Sequence, residues 1–199
     1  MHYYMFHKPY GCVCARSDDL YPTIIDYFKE LNNVNLSPVG RLDRETEGLL
    51  FVTDDGKWNQ KITHPDHNIE KTYDFTALGT LNSKKIQMLN DGIMLTGAKT
   101  ITAPAKVEII GTSVLEKVLP DLHPELQRKT KHNRMNHPIV FGRITITEGR
   151  KHQVRRMLKA VGCCIIYLKI ISIGDVVLDE NLPVGKWKEL DPLLVQHFF

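Results

Sequence analysis

The segment Gly40-Arg41-Leu42-Asp43-Arg44-Glu45-Thr46-Glu47-Gly48 sets three carboxylates and two guanidinium groups between glycines, directly before the apolar run Leu49-Leu50-Phe51-Val52. Charged groups on a loop that runs into a buried strand are positioned by that strand, which is what a reacting carboxylate requires. Asp43 has two readings on residue type alone. It is a turn residue paired with Arg41 or Arg44, or a fixed carboxylate able to act as nucleophile or base. Paired carboxylates also suit glycoside hydrolysis, and Glu45, Glu47, Asp54 and Asp55 add candidates. With aromatic residues at only 8% of the chain, a sugar-lined cleft is poorly supported.

Charge is unevenly spread. Residues 1–99 carry 11 basic and 13 acidic side chains, whereas 100–199 carry 15 and 10. Between Gln127 and Lys159, Arg128, Lys129, Lys131, Arg134, Arg143, Arg150, Lys151, Arg155, Arg156 and Lys159 face one acid, Glu148. Such a density suits a polyanion whose phosphates release counterions on binding, so nucleic acid is the expected partner. Charge supports binding but not turnover, so a noncatalytic RNA-binding or ribosome assembly module stands as the alternative.

Metal chemistry is not expected. His64-Pro65-Asp66-His67 lacks further ligands and reads as a turn, and Cys12, Cys14, Cys163 and Cys164 lack the spacing of structural zinc ligands. Vicinal cysteines are poor disulfide partners, and free thiols fit a reducing cytoplasm.

Several elements must position these groups. Tyr3 to His7 reads as a strand stopped by Lys8-Pro9-Tyr10-Gly11, and Pro22 to Leu31 as a short helix. Leu49–Val52 reads as a buried strand, after which Asp54 or Asp55 caps a helix. Thr72 to Leu78 alternates, with Tyr73, Phe75 and Ala77 on one face. Asn82 or Ser83 and Gly92 bracket a further helix, and Thr100 to Ile110 reads as a strand. The stretch up to Pro138 reads as an irregular insertion. Arg143 to Thr147 alternates, with Ile144 and Ile146 inward. From Gly149, a helix gathers Val154, Met157, Leu158 and Val161 in one stripe, with Arg155 at its border and His152, Arg156 and Lys159 pointing away.

GRLDRETEGLL, then Lys71-Thr72-Tyr73, then EGRKHQVRRM occur in the order and approximate spacing seen in pseudouridine synthases, and the chain resembles their small-ribosomal-type branch. The likeness runs from HKPYG to the LKIISIGDVVLDENLPVGKWKEL tail. It implies an α+β fold built on a curved, mostly antiparallel mixed sheet with flanking helices and a central RNA cleft. An amino-terminal S4 module, common in the branch, is not expected, because the catalytic-type strand starts within ten residues. Residues 1–199 are then one catalytic domain, or two fused lobes.

In this respect the chain is most similar to the large-subunit ribosomal members, which implies a uridine of large-subunit ribosomal RNA as target. The resemblance assigns Asp43 as the catalytic aspartate, Tyr73 as the aromatic against the target uracil and Arg155 as the basic partner of the aspartate, with Lys71 at the K-x-Y position. Arg41, Arg44, Lys71, Lys151, His152 and Arg156 are the expected substrate-binding residues. Moving a uracil from a carbon–nitrogen to a carbon–carbon glycosidic bond involves no redox change, so no cofactor or metal is expected.

At 199 residues the chain fits the roughly 100 to 200 residues usual for a domain. Its 42% hydrophobic and 25% charged residues exclude a disordered or collagen-like chain. No apolar run approaches the roughly 18 residues of a membrane span, and the first residues lack a leader pattern. The expectation is a cytoplasmic protein, away from membranes and monomeric.

Overall fold

The computed structural model describes residues 1–198. Two compact units are formed, Met1–Lys71 with Lys169–Phe199, and Thr72–Leu168. Among the described residues nine strands build a mixed sheet with flanking helices.

In the first unit, β1 (Tyr3–Lys8) pairs antiparallel with β3 (Glu47–Thr53), and β2 (Ser37–Pro38) joins β3 from the other side. A parallel strand contact in the unit sets Glu47 and Gly48 of β3 against Lys169 and Ile170 of β7 (Cys164–Ile173). This contact dictates a glycine. Gly48 has φ 108°, and a Cβ there would sit 2.1 Å from the Ile170 carbonyl oxygen. Strand β8 (Val176–Val177) hairpins onto β7, and β9 (Trp187–Glu189) pairs with β1.

The apolar run forms β3 as expected, longer by Glu47-Gly48 and Thr53, with every residue after Glu47 buried. Tyr4 and Phe6 of β1 and Leu50 and Val52 of β3 alternate toward one core with Cys12, Ile24, Phe28 and Leu36. The helix expected at Pro22 to Leu31 is a 3-10 helix, Ile24–Leu31, whose Thr23 and Asp26 form a capping box. Helix α1 (Gly56–Thr63) starts where Asp55 accepts from the amides of Lys57 and Trp58, and that carboxylate also accepts from the Tyr3 hydroxyl at 2.7 Å. Burial raises the Tyr3 phenol to about 12, and the hydrogen bond from Tyr3 draws Asp55 below its ordinary value. The unit closes with a short helix at Pro192–Gln196.

The second unit orders its strands β5 (Lys106–Val114), β6 (Pro138–Ile146), β4 (Lys71–Leu78, from Thr72 on) and the first residues of β7. Tyr73, Phe75 and Ala77 are buried on one face of β4, and Ile144 and Ile146 on β6, as the alternation predicts. Helix α2 (Ser83–Asp91) is capped by the Asn82 side chain on the Lys85 amide.

Further boundaries differ from expectation, and the strand read at Arg143 to Thr147 starts earlier, at Pro138, and ends at Ile146. The strand read at Thr100 to Ile110 begins at Lys106, because Pro104 has no N–H for a ladder and residues 94–101 close a hairpin of their own. The stretch before Pro138 is not irregular throughout. It holds α3 (Leu115–Val118), a 3-10 turn at Leu119–Asp121 and α4 (Pro124–Thr130), the last started by Pro124 after a His123 cap. The last helix of the second unit, α5 (Gln153–Ala160), starts four residues later than Gly149, because His152 adopts the left-handed region at φ 52°. Its stripe of Val154, Met157, Leu158 and Val161 is buried as expected.

Candidate active site

The Gly40–Glu47 segment is held in the first unit chiefly by its main chain. Asp43, Arg44, Glu45 and Thr46 form a turn closed by the Thr46 amide donating to the Asp43 carbonyl at 3.0 Å. The Gly11 amide donates to the Arg44 carbonyl at 2.8 Å, which ties this turn to the one after β1. The Leu42 amide donates to Cys14 Sγ at 3.4 Å, and the Leu42 side chain packs on the β1–β3 core.

Beneath the loop lies Lys8, which sequence reasoning placed in a turn. Its side chain is completely buried, and Nζ donates to the carbonyls of Thr46 (2.9 Å), Pro9 (3.1 Å) and Arg44 (3.4 Å). A buried ammonium persists where several acceptors replace its water. Burial lowers the Lys8 pKa, while Cys14, Cys12, Glu47 and Asp43 pull the other way. The available signal was positional: Lys8 continues the strand that starts at Tyr3, in register with Gly48.

The flanking arginines differ. Arg41 is exposed. The Arg44 guanidinium lies 4.5 Å from the Tyr21 ring centre and 5.6 Å from that of Tyr10, and reaches Glu45 at 3.4 Å. Arg44 therefore braces the loop against two aromatic rings. Asp43 itself is half-buried. Lys71 ends this unit. Its ammonium contacts the Ile69 carbonyl at 3.4 Å, and burial lowers its pKa.

The remaining expected residues belong to the second unit. Tyr73 is buried on β4, and Arg155 is half-buried on α5. Lys151 and His152 are exposed before α5. The Arg156 guanidinium donates to the carbonyls of Thr96 (2.8 Å) and Lys151 (3.3 Å), so it anchors main chain rather than extending into solvent.

Part of the basic stretch is likewise occupied. Arg143 makes a two-pronged contact with Asp74 at 2.7 and 3.1 Å, and Lys129 pairs with Glu125 one turn away. Sequence reasoning also missed a knot at the start of α5. Glu148 accepts from Arg150 Nε (3.0 Å), from buried Gln153 Nε2 (2.7 Å) and from the Ala103 amide (2.8 Å), while Gln153 Oε1 accepts from the Arg150 amide. The knot supplies the fixing that the uncapped helix start lacks. The signal was Glu148 itself, one acid in a long basic stretch.

Among the described residues no group of three or more His, Cys, Asp or Glu side chains is placed to hold a metal ion, and no helix is long and apolar enough to cross a membrane. All four cysteines are free.

A family model described as RNA pseudouridylate synthase matches residues 2–160. The ribosomal small subunit pseudouridine synthase A of Haemophilus influenzae is 39% identical over 188 residues, which cover 94% of this chain and 69% of that protein. Its Escherichia coli K12 counterpart is 34% identical, with 94% and 70% covered. A solved pseudouridylate synthase structure is 36% identical with a TM-score of 0.80, covering 100% of this chain and 74% of that one. Human RNA pseudouridylate synthase domain containing 1, at 14% identity and a TM-score of 0.56 over 99% and 91% of the two chains, shares the fold. These relatives give the large-subunit target no support, since the bacterial ones are named for the small subunit. On the family match, the sequence identity and the structural agreement together, the chain belongs to the RNA pseudouridylate synthase family and is an isomerase.

Proposed function

We propose that this isomerase converts a uridine of ribosomal RNA to pseudouridine and that Asp43 initiates the reaction. The observation that carries the assignment of Asp43 is the way its loop is held: amide, ammonium and thiol contacts fix the backbone on both sides of the residue, and the turn's other carboxylate, Glu45, pairs with Arg44, so the Asp43 carboxylate is presented on a rigid turn. The relatives' names favour the small ribosomal subunit RNA, and the large-subunit RNA expected from the sequence is the second substrate to be tried.

In the reaction the C1′–N1 bond breaks, the uracil turns, C1′ bonds to C5, the C5 proton leaves to solvent and N1 gains a proton. Asp43 starts this by attacking the ribose or base, or by taking a ribose proton. Tyr73 is proposed to offer its ring to the uracil and its hydroxyl to removal of the C5 proton, and Arg155 to keep a reacting carboxylate ionised by its positive charge. Both roles rest on the resemblance. Extracting a stacked uridine costs about a few kcal/mol, which phosphate contacts from Arg41, Lys151 and His152 are proposed to offset. The protein is proposed to work as a cytoplasmic monomer.

The test is tritium release from each ribosomal RNA carrying tritium at uridine C5. Wild type should release label from one of them, and Asp43→Asn should release none while still binding. Retention of the label by wild type on both RNAs would reject the assignment in favour of a noncatalytic RNA-binding module.

A further inference from the structure

We infer that the hairpin Met94–Ile101, between α2 and β5, is an RNA-gripping finger that sets an apolar side-chain pair against a base and a lysine against phosphate. The inference rests on the proposed ribosomal RNA isomerase and names a contact surface for its substrate.

On the first arm of the hairpin inward and outward positions alternate, and on the second Ile101 is outward and Thr102 inward. Ile93, Leu95 and Thr102 are buried at 9%, 1% and 2% exposure, whereas Met94 and Ile101 are 52% and 54% exposed. Met94 and Ile101 form an antiparallel bridge, so they are direct cross-strand neighbours on one face. Outward positions of such a ribbon are ordinarily polar. Here they hold methionine and isoleucine side by side.

The hairpin is also built to keep its shape. The Thr102 amide donates to the Ile93 carbonyl at 3.0 Å, and the Ile93 amide donates to Thr102 Oγ1 at the same distance. The turn is closed by the Ala98 amide on the Leu95 carbonyl. Gly92 lets the arms meet, since a Cβ there would lie 2.3 Å from the Thr102 carbonyl oxygen. Both arms are then clamped from α5 and the loop before it. Arg156 donates to the Thr96 carbonyl on one arm. Arg150 donates to the Thr100 carbonyl (2.9 Å), Thr100 Oγ1 (3.3 Å) and the Ile101 carbonyl (2.6 Å) on the other. Two arginines of the basic stretch thus direct their head groups to this ribbon.

The partner follows from charge. Residues 94–101 contain Lys99 and no acid, and Lys151 and His152 are exposed just before the helix that clamps them. The nearby Asp91 accepts from Gln87. An apolar pair on a hairpin that carries Lys99, with Lys151 exposed before the clamping helix, suits a nucleotide strand, whose bases offer flat faces and whose phosphates offer negative charge. Methionine and isoleucine are among the side chains that wedge against bases.

The experiment compares wild type, Met94→Ser/Ile101→Ser, the conservative Met94→Leu/Ile101→Val and a control, Val34→Ser/Val184→Ser, which alters exposed apolar residues of the other unit. Tritium release gives KM and kcat, fluorescence anisotropy gives RNA affinity, and thermal melts and sedimentation check fold and self-association. The serine pair should raise KM and weaken RNA binding about tenfold. The conservative pair and the control should behave as wild type. Lys99→Ala should lower the salt slope of binding by about one.

Wild-type KM and affinity in the serine pair would overturn the inference while leaving the enzyme assignment intact. The same holds if the serine pair abolishes a wild-type dimer and leaves RNA affinity unchanged, because the face then serves a second copy. Absence of wild-type tritium release would reject the enzymatic reading, and anisotropy would still decide the hairpin's role in RNA binding.

Discussion

Replacing Lys8 by methionine isolates what the buried ammonium does for the Asp43 loop, because the unbranched stem is kept out to Cε and the terminal ammonium, with its charge and donors, is removed. Two of its contacts, to Thr46 and Pro9, are of ordinary hydrogen-bond length, and the third, to Arg44, is long. Hydrogen bonds to a charged group contribute about 1.5–3 kcal/mol each, so the two good ones supply on the order of 3–6 kcal/mol. Against this stands the cost of an ammonium with no exposure, several kcal/mol even after relaxation. The terms largely cancel, and the global change should stay within about 2 kcal/mol, less than roughly 8 °C in melting temperature for a chain of this size.

Activity should respond quite differently. Without its grip on Thr46 and Arg44 the turn bearing Asp43 can shift by an ångström, a displacement that costs about 100-fold in turnover. Single-turnover tritium release at saturating RNA, run beside thermal melts, separates the two effects. A turnover rate within twofold of wild type would refute the reasoning. So would a fall in melting temperature of about 15 °C or more, which would make Lys8 a pillar of the core instead.

Alkaline pH adds an independent check. Burial puts the folded-state pKa of Lys8 below its ordinary 10.5, so the unfolded chain holds the proton more tightly and wild type gains stability as pH rises toward 10.5. Lys8→Met lacks that gain, so the difference in melting temperature should move in favour of wild type over that range.

Two further outcomes follow from the first unit. Gly48→Ala should cost more than about 4 kcal/mol, because the new methyl meets the Ile170 backbone at 2.1 Å from a left-handed φ, and a thermal melt within 2 °C of wild type would contradict the packing. Asp55→Ala should destabilise by about 1–2 kcal/mol at neutral pH through the lost cap. Because the Asp55 pKa is lowered from 3.8, its contribution disappears as pH falls below that value, so urea titrations of wild type and variant should converge in acid.

Much of the fold was readable because apolar periodicity survives wherever one face is buried. The β3 run, the alternation of Tyr73, Phe75 and Ala77, and the α5 stripe all occupy the expected faces. Boundaries slipped where local backbone conformation overrides pattern: His152 turns left-handed and delays α5, and Pro104 delays β5. The helices between Val114 and Pro138 were hidden by short length and mixed polarity, although Pro124 after His123 is a start signal.

The candidate site was legible in its motif and obscure in its support. The motif's resemblance to a family singles out Asp43 as the candidate, whereas nothing in the letter K marks Lys8 as fully buried, since lysine is almost always solvated. Arg150 and Arg156 look like phosphate ligands in composition, yet their guanidinium groups meet carbonyl oxygens of residues 50 and 60 positions earlier, a long-range relation that spacing cannot reveal.

The Asp43 turn is gripped mainly through peptide atoms, at Arg44 and Thr46 by their carbonyls and at Leu42 by its amide. Such a grip is largely indifferent to which side chain occupies position 43. A chemically silent Asp43 variant should therefore keep its architecture and serve as bait, retaining its transcript long enough to be isolated and read.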